Sequence, residues 1–339
     1  MAAHIGIEDV ARYAGVSIST VSRVMNNHPD VSQKTREKVM AVIKEHAYVP
    51  NNSARNLKRE SMHAVGLIIK GFANPFFTPM LEVIETELTK HRYLALLHPV
   101  QPDDDEISSA ISLNKEKKPE GLIFLGGNFE HTREKMAMLD IPFVMVTITM
   151  HEHVNRNRCS SITVDDYKEG YDVGARVCNA GHKKVAVIGH SLDDRSISRL
   201  RLSGFRKAHE ESGCAPEGLY VDYAGSYDMA AGYEAAKRLL ARHEFTCLFC
   251  VSDTLALGAK RAIYESGKRT PQDVSVIGFD GIDAARYSTP SLATVRQPSE
   301  QMARQSVRML LDNMEFGVPH QHCIAPAEFV EGESFRPLV

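Results

Sequence analysis

The sequence predicts a small all-α head followed by an α/β body of two doubly wound, parallel-sheet lobes. Three observations carry that expectation. The first 60 residues show only helical periodicity, and from Ala64 onward apolar strand-like runs alternate with amphipathic helical runs. These runs are also too many for one small sheet.

In the head, IEDVARYA sets Ile7, Val10, Ala11 and Ala14 on one face of a 3.6-residue period, and Gly15 breaks the helix. Ser17 stands where an N-cap starts a second helix through Val24, closed by Asn26 and Asn27. A third helix follows Ser32 and buries Val39, Val42 and Ile43. A helix, a tight turn and a second helix make a helix-turn-helix unit. Val16, Val21 and Val24 face inward, which leaves Ser17, Ile18, Ser19, Thr20, Ser22, Arg23 and Asn26 for double-stranded DNA.

Short hydroxyls at a helix N-terminus suit phosphate oxygens, and an arginine such as Arg23 can pair bidentately with guanine. Charge agrees in sign: residues 1–60 hold nine Lys/Arg against six Asp/Glu, in a chain of net charge −3. The polar stretch VPNNSARNLKRES, residues 49–61, reads as a linker able to form one or two helical turns. The expected domains are therefore 1–49, a linker 50–61 and a body 62–339.

In the body, VGLII, LALLH, GLIFLG, FVMV, SITV, VAVIG, CLFCV and VSVIGF are continuous apolar strands, as expected of parallel sheets covered on both faces. The first lobe is placed at about 62–160 and 292–320, and the second at about 161–291 and 321–339. Ligands of such sheets bind at the carboxyl ends of strands. GFANPFF, residues 71–77, follows the first strand and sits at such an end. There Asn74 offers an amide to hydroxyls, and Phe76 and Phe77 offer flat apolar faces.

EDVARYAGVSISTVSRVMN, followed by VSQKTREKV and YVPNNSARNLK, resembles the DNA-binding head of the lactose and galactose repressor family. The likeness extends along the whole chain, whose βα body is similar to the family's periplasmic-binding-protein-like effector core. It implies that Ile18, Ser19 and Arg23 choose the base sequence of the operator. It also implies that the linker becomes a hinge helix on DNA, with Leu57 as a minor-groove wedge, Ala54 beside it, and Arg55 and Lys58 near phosphates. One recognition helix per chain implies a homodimer on a near-palindrome. The closing FRPLV is too short for a heptad tail that would build tetramers.

For the effector, the resemblance gives Arg201 the position that holds ligand hydroxyls or a carboxylate, with Arg195 as a second contact. It places Asp280 at a strand end, where a carboxylate accepts two hydroxyls, and Asp253 as a second acid that also caps its helix. Tyr227 is the aromatic that closes over the ligand. Two departures leave the ligand's identity open: Thr147 stands where several members carry aspartate, and Ser252 replaces an asparagine. The expected effector is a small carbohydrate-like molecule. The alternative is the same DNA-binding regulator under a phosphocarrier protein or a purine corepressor.

Enzymatic readings find no support. The chain has no G-x-G-x-x-G after a strand, no P-loop, no H-E-x-x-H and no G-x-S-x-G, so neither catalysis nor a cofactor is expected. Six cysteines are too sparse for a disulfide framework, and CLFC at Cys247–Cys250 reads as buried strand. The histidine-rich pieces around His151, His153, His320 and His322 fit no closed metal site. No apolar run reaches bilayer-spanning length and no signal peptide precedes the head, so a cytoplasmic protein without membrane contact is expected.

Overall fold

The computed structural model describes residues 6–25, 28, 30–46, 63–101, 104–128, 133–148, 156–191 and 197–338. The chain divides into two compact units, Met1–Glu60 and Ser61–Val339.

The first unit holds α1 (Ile7–Ala14), α2 (Ile18–Met25) and α3 (Gln33–Glu45). Gly15 adopts φ 60°, a left-handed conformation that glycine reaches without a Cβ penalty, and so turns the chain sharply between α1 and α2. Ser17 Oγ accepts the Thr20 amide at 3.1 Å, and Ser32 Oγ accepts that of Thr35 at 3.3 Å, capping α2 and α3. Val10, Ala11, Ala14, Val21, Val24 and Val39 form the core, with Val16 packed against it. Arg36 donates to the carbonyl oxygens of Val24 at 3.4 Å and His28 at 2.9 Å, tying α3 to the end of α2.

The second unit contains two six-stranded sheets. The first runs in the order β11-β5-β4-β3-β1-β2, with β1 Ala64–Lys70, β2 Leu94–Val100, β3 Gly121–Leu125, β4 Phe143–Val146, β5 Ser160–Thr163 and β11 His322–Ile324. The second runs β12-β10-β9-β8-β6-β7, with β6 Val185–Gly189, β7 Leu219–Tyr223, β8 Cys247–Cys250, β9 Ser275–Asp280, β10 Ala293–Arg296 and β12 Glu328–Val330. Every pairing is parallel except that of β10 with β12. The central strands are buried along their length, which is why they read as unbroken apolar runs. In each sheet the strand order reverses beside the first strand, between β1 and β3 and between β6 and β8. Ligand crevices form at such switch points.

Helices cover the sheets: α4 (Phe77–Lys90), α5 (Glu106–Lys117), the short α6 (Arg133–Met136), α7 (Asp166–Asn179), α8 (Ile197–Glu211), α9 (Met229–Arg242), α10 (Asp253–Glu265), α11 (Asp283–Tyr287) and α12 (Ser299–Phe316).

The structure moves the expected lobe boundaries. Residues 160–163 pair with β4 and remain in the first lobe, 293–296 pair with β9 in the second, and 322–324 return to the first beside β5. The chain therefore crosses between lobes near residues 164, 297 and 326. The strands at these crossings are only three or four residues long, and their apolar signal is correspondingly weak.

Candidate functional sites

The helix-turn-helix arrangement separates two faces of α2. Val21 and Val24 are 0% and 2% exposed, while Ile18 is 47% exposed and Ser17, Ser19 and Arg23 are also exposed. Thr20 and Ser22 are half-buried at the edge of that face. Ser17 Oγ lies 2.7 Å from Ser19 Oγ and 2.8 Å from Thr20 Oγ1, so the hydroxyls gather at the start of α2 beside its free amides. Asn26, Ala54, Arg55, Leu57 and Lys58 lie outside the described residues, as does Arg195.

At the carboxyl ends of the first sheet, Asn74 Oδ1 accepts the Phe76 amide at 3.1 Å, and its carbonyl accepts that of Phe77 at 3.1 Å. Asn74 therefore braces the turn that leads into α4. Phe76 and Phe77 are 5% and 6% exposed, with ring centroids 5.4 Å apart, and both belong to the hydrophobic core. The exposed aromatic of this loop is Phe72. Thr147 adopts φ 62° and is buried, its Oγ1 accepting the Gly126 amide at 3.2 Å and so joining the ends of β3 and β4. A Cβ on Gly126 would lie 2.7 Å from the Lys70 carbonyl and 3.0 Å from the Phe77 ring, so these strand ends are packed directly together.

In the second lobe Arg201 is the organising group. It projects from α8 and is 2% exposed, and its Nε donates to Asp166 Oδ1 at 2.8 Å. Its Nη1 donates to the Val251 carbonyl at 2.7 Å and to Asp280 Oδ1 at 3.3 Å, and the guanidinium lies 3.6 Å from the centroid of the Phe279 ring. Gln297 Nε2 donates to the same Asp280 oxygen at 2.8 Å. Arg201 Nη2 and Gln297 Oε1 have no hydrogen-bond partner among the described residues. Asp166 Oδ2 is likewise without a partner among the described residues, so the cluster keeps one unused donor and two unused acceptors.

Burial opposes the Arg201 charge, but Asp166 and Asp280 more than offset it and hold the guanidinium protonated. Burial also pushes the Asp166 carboxyl up against the pull of Arg201. The same desolvation raises Asp280 to about 6, with Arg201 and Gln297 acting in the opposite direction. Asp280 sits at φ 120°, a conformation rare for a side chain other than glycine, so this strand end is held under backbone strain.

Asp253 departs from its expected role. It does not cap α10: Ser252 does, its Oγ accepting the Leu255 amide at 3.4 Å. Asp253 Oδ2 accepts the amides of Gly281 and Ile282 at 2.7 and 2.9 Å, and Oδ1 accepts from Thr294 Oγ1 at 2.6 Å. Both oxygens are spent on bracing the ends of β9 and β10, and burial raises this carboxyl to about 8. Tyr227 is half-buried and stacks on His190 at 4.5 Å and 7°, its backbone held by Thr254.

Sequence reading therefore missed Asp166 and Gln297, the residues flanking the first two crossings. The only signals for them were polar residues in VDDY and RQP, which a surface turn would also carry. Among the described residues, no group of three or more His, Cys, Asp and Glu could hold a metal ion, and no helix is long and apolar enough to cross a membrane.

Residues 6–51 match the family described as "Bacterial regulatory proteins, lacI family", and residues 175–335 match a "Periplasmic binding protein-like domain". The chain is 36% identical over 336 residues to the HTH-type transcriptional regulator MalR of Clostridium butyricum, covering 97% of this chain and 99% of that one. It is 32% identical over 311 residues to the HTH-type transcriptional repressor PurR of Haemophilus influenzae (strain PittEE), covering 91% and 90%. Among solved structures, a lac repressor dimer bound to operator and the anti-inducer ONPF superposes with TM-score 0.76 at 25% identity, covering 98% and 99%. A complex of the transcriptional regulator CelR with cellobiose does so with TM-score 0.68 at 26% identity, covering 98% and 100%.

Proposed function

The chain belongs to the lacI family of bacterial regulatory proteins, and on that premise we propose that it is a cytoplasmic repressor acting as a homodimer and released or recruited by a carbohydrate-like effector. It is a DNA-binding transcriptional regulator under small-molecule control, not an enzyme.

The observation that carries the DNA reading is the α2 face, where Ile18, Ser19 and Arg23 are exposed over a closed valine core. Arg23 reads guanine, Ile18 contacts a thymine methyl, Ser19 serves several bases, and Ser17, Thr20, Ser22 and Asn26 hold phosphates. Leu57 wedges the minor groove, flanked by Ala54, Arg55 and Lys58. Dimer pairing is supported by β2, an edge strand that exposes Leu94 and Leu97 at 58% and 51%.

For the effector, the combination of Arg201, Asp280 and Gln297 supports a ligand rich in hydroxyls, with Asn74, Phe76, Phe77, Thr147 and Tyr227 around it and Arg195 as a further contact. The second reading is the same DNA-binding regulator under a phosphocarrier protein or a purine corepressor.

Selection of the full-length protein on a random DNA library at near-physiological salt tests the first part, with enrichment of a near-palindrome expected. Titration calorimetry with neutral mono- and disaccharides, sugar phosphates and purine bases tests the second. Heat from a neutral saccharide alone supports the carbohydrate reading, and heat from a purine alone replaces it.

A further inference from the structure

Cys178 and Cys214 form a thiol pair outside the DNA and effector sites. Cys178 lies in the last turn of α7, and Cys214 follows the turn that ends α8. Their sulfurs are 3.7 Å apart, and both residues are half-buried, within reach of a small reagent.

The surrounding backbone is suited to closing that gap. Helices α7 and α8 pack through glycines so closely that a Cβ on Gly170 would lie 2.2 Å from the Arg201 carbonyl, and one on Gly204 2.0 Å from that of Tyr167. This pairing fixes Cys178 against the end of α8. Cys214, by contrast, rides on an exposed turn made by Gly213 at φ 69°, which has nothing within 4 Å of its Cβ position. A disulfide needs about 2.05 Å between sulfurs, so the exposed turn supplies the remaining movement while the helices stay in place.

We propose that Cys178 and Cys214 are a modification site for hydroperoxides, closing to an intramolecular disulfide that staples α7 to the turn after α8. In the first step the Cys214 thiolate attacks the peroxide oxygen, the O–O bond breaks, and a sulfenic acid forms as the alcohol or water leaves. In the second, the Cys178 sulfur attacks the sulfenic sulfur, the S–S bond forms, and water leaves with the Cys178 proton. Two thiols are oxidised by two electrons and one hydroperoxide is reduced.

The order of attack follows the surroundings. Cys214 rides on the exposed Gly213 turn and meets the peroxide, while Cys178 is held in the last turn of α7, where burial pushes its thiol up. The other cysteines have no such arrangement. Cys159, Cys247 and Cys250 are buried, and the Cys323 sulfur accepts from Gln305 Nε2 at 3.2 Å.

The test exposes the full-length native protein to hydrogen peroxide, alkylates the remaining thiols and maps peptides by mass spectrometry. The expected product joins the Cys178 and Cys214 peptides, lighter by two hydrogens, and dithiothreitol reverses it. Cys178→Ser should lose the link and leave a dimedone-trappable sulfenic acid at Cys214, with operator binding unchanged. Cys214→Ser, or Cys214→Ala if the serine variant fails to fold, should lose the link without trapping at Cys178. Two alkylatable thiols after exposure, a link from Cys178 to Cys247, or equal oxidation of all six cysteines would overturn the proposal.

Discussion

Arg201 on α8 and Asp166 at the start of α7 are joined by a 2.8 Å ion pair in which both side chains are out of solvent, at 2% and 0% exposure. Asp166 follows the first crossing between the lobes by two residues, and Gln297, at the second crossing, reaches the same arginine through Asp280. The cluster therefore ties α7 and α8 to two of the segments by which the chain crosses between the lobes.

Removing Arg201 should be costly. Arg201→Ala leaves Asp166 and Asp280 buried without their cation, which destabilises by about 3–5 kcal/mol, and Arg201→Lys recovers only part because a single ammonium cannot span three acceptors. Urea denaturation measures the loss. A change under about 1 kcal/mol would mean that the cluster does not organise the lobe.

The two buried acids predict a pH slope of definite sign. Asp253 and Asp280 rise from an ordinary 3.8 to about 8 and about 6, so between pH 4 and 8 the native state binds more protons than the unfolded one. Their contribution is fully present below pH 3.8 and is lost as pH rises through about 6 and then about 8. Asp253→Asn should flatten the slope by at most about 1.4 kcal/mol per pH unit between pH 5 and 7. Parallel stability curves for the two proteins would refute the assignment.

Gly204→Ala places a methyl group 2.0 Å from the Tyr167 carbonyl. The helices must separate, at a cost of about 2 kcal/mol or more, and the Arg201–Asp166 pair lengthens with them. Thermal denaturation should fall and effector affinity with it, whereas Gly213→Asn, on an open turn, should be nearly neutral.

Arg23→Ala should weaken operator binding by about 1–3 kcal/mol and relax one base position, with effector affinity intact. Asp280→Asn should do the reverse. Gel-shift titration with and without effector separates the two, and full operator affinity in Arg23→Ala would overturn the recognition-helix assignment.

Local information is enough for the head. A three-helix unit is specified by near-neighbour signals, the Gly15 turn, the Ser17 and Ser32 caps and one valine face, and all of them lie within a few residues of what they control. The long central strands were legible for a related reason: burial on both faces demands apolar residues at every position. Edge strand β7, half-buried throughout, carries no such demand and was not legible.

The buried Arg201 cluster was only partly legible. Arg201 and Asp280 stood out through resemblance, but their meaning depends on partners 35 and 79 residues away in the chain. Asp253 shows the limit most clearly. Its position at the start of a helix suggests a cap, and only the fold turns its carboxylate onto Gly281, Ile282 and Thr294.

The sequence by itself determined the helix-turn-helix, the doubly wound lobes and the two faces of α2, because periodicity, caps and burial are written in short range, and its resemblance to a known family supplied the class of protein. Tertiary structure alone decided where the chain crosses between lobes, which acids serve Arg201 and which brace strand ends. Hydrogen bonds and desolvation join groups by distance in space, and no local pattern encodes that distance.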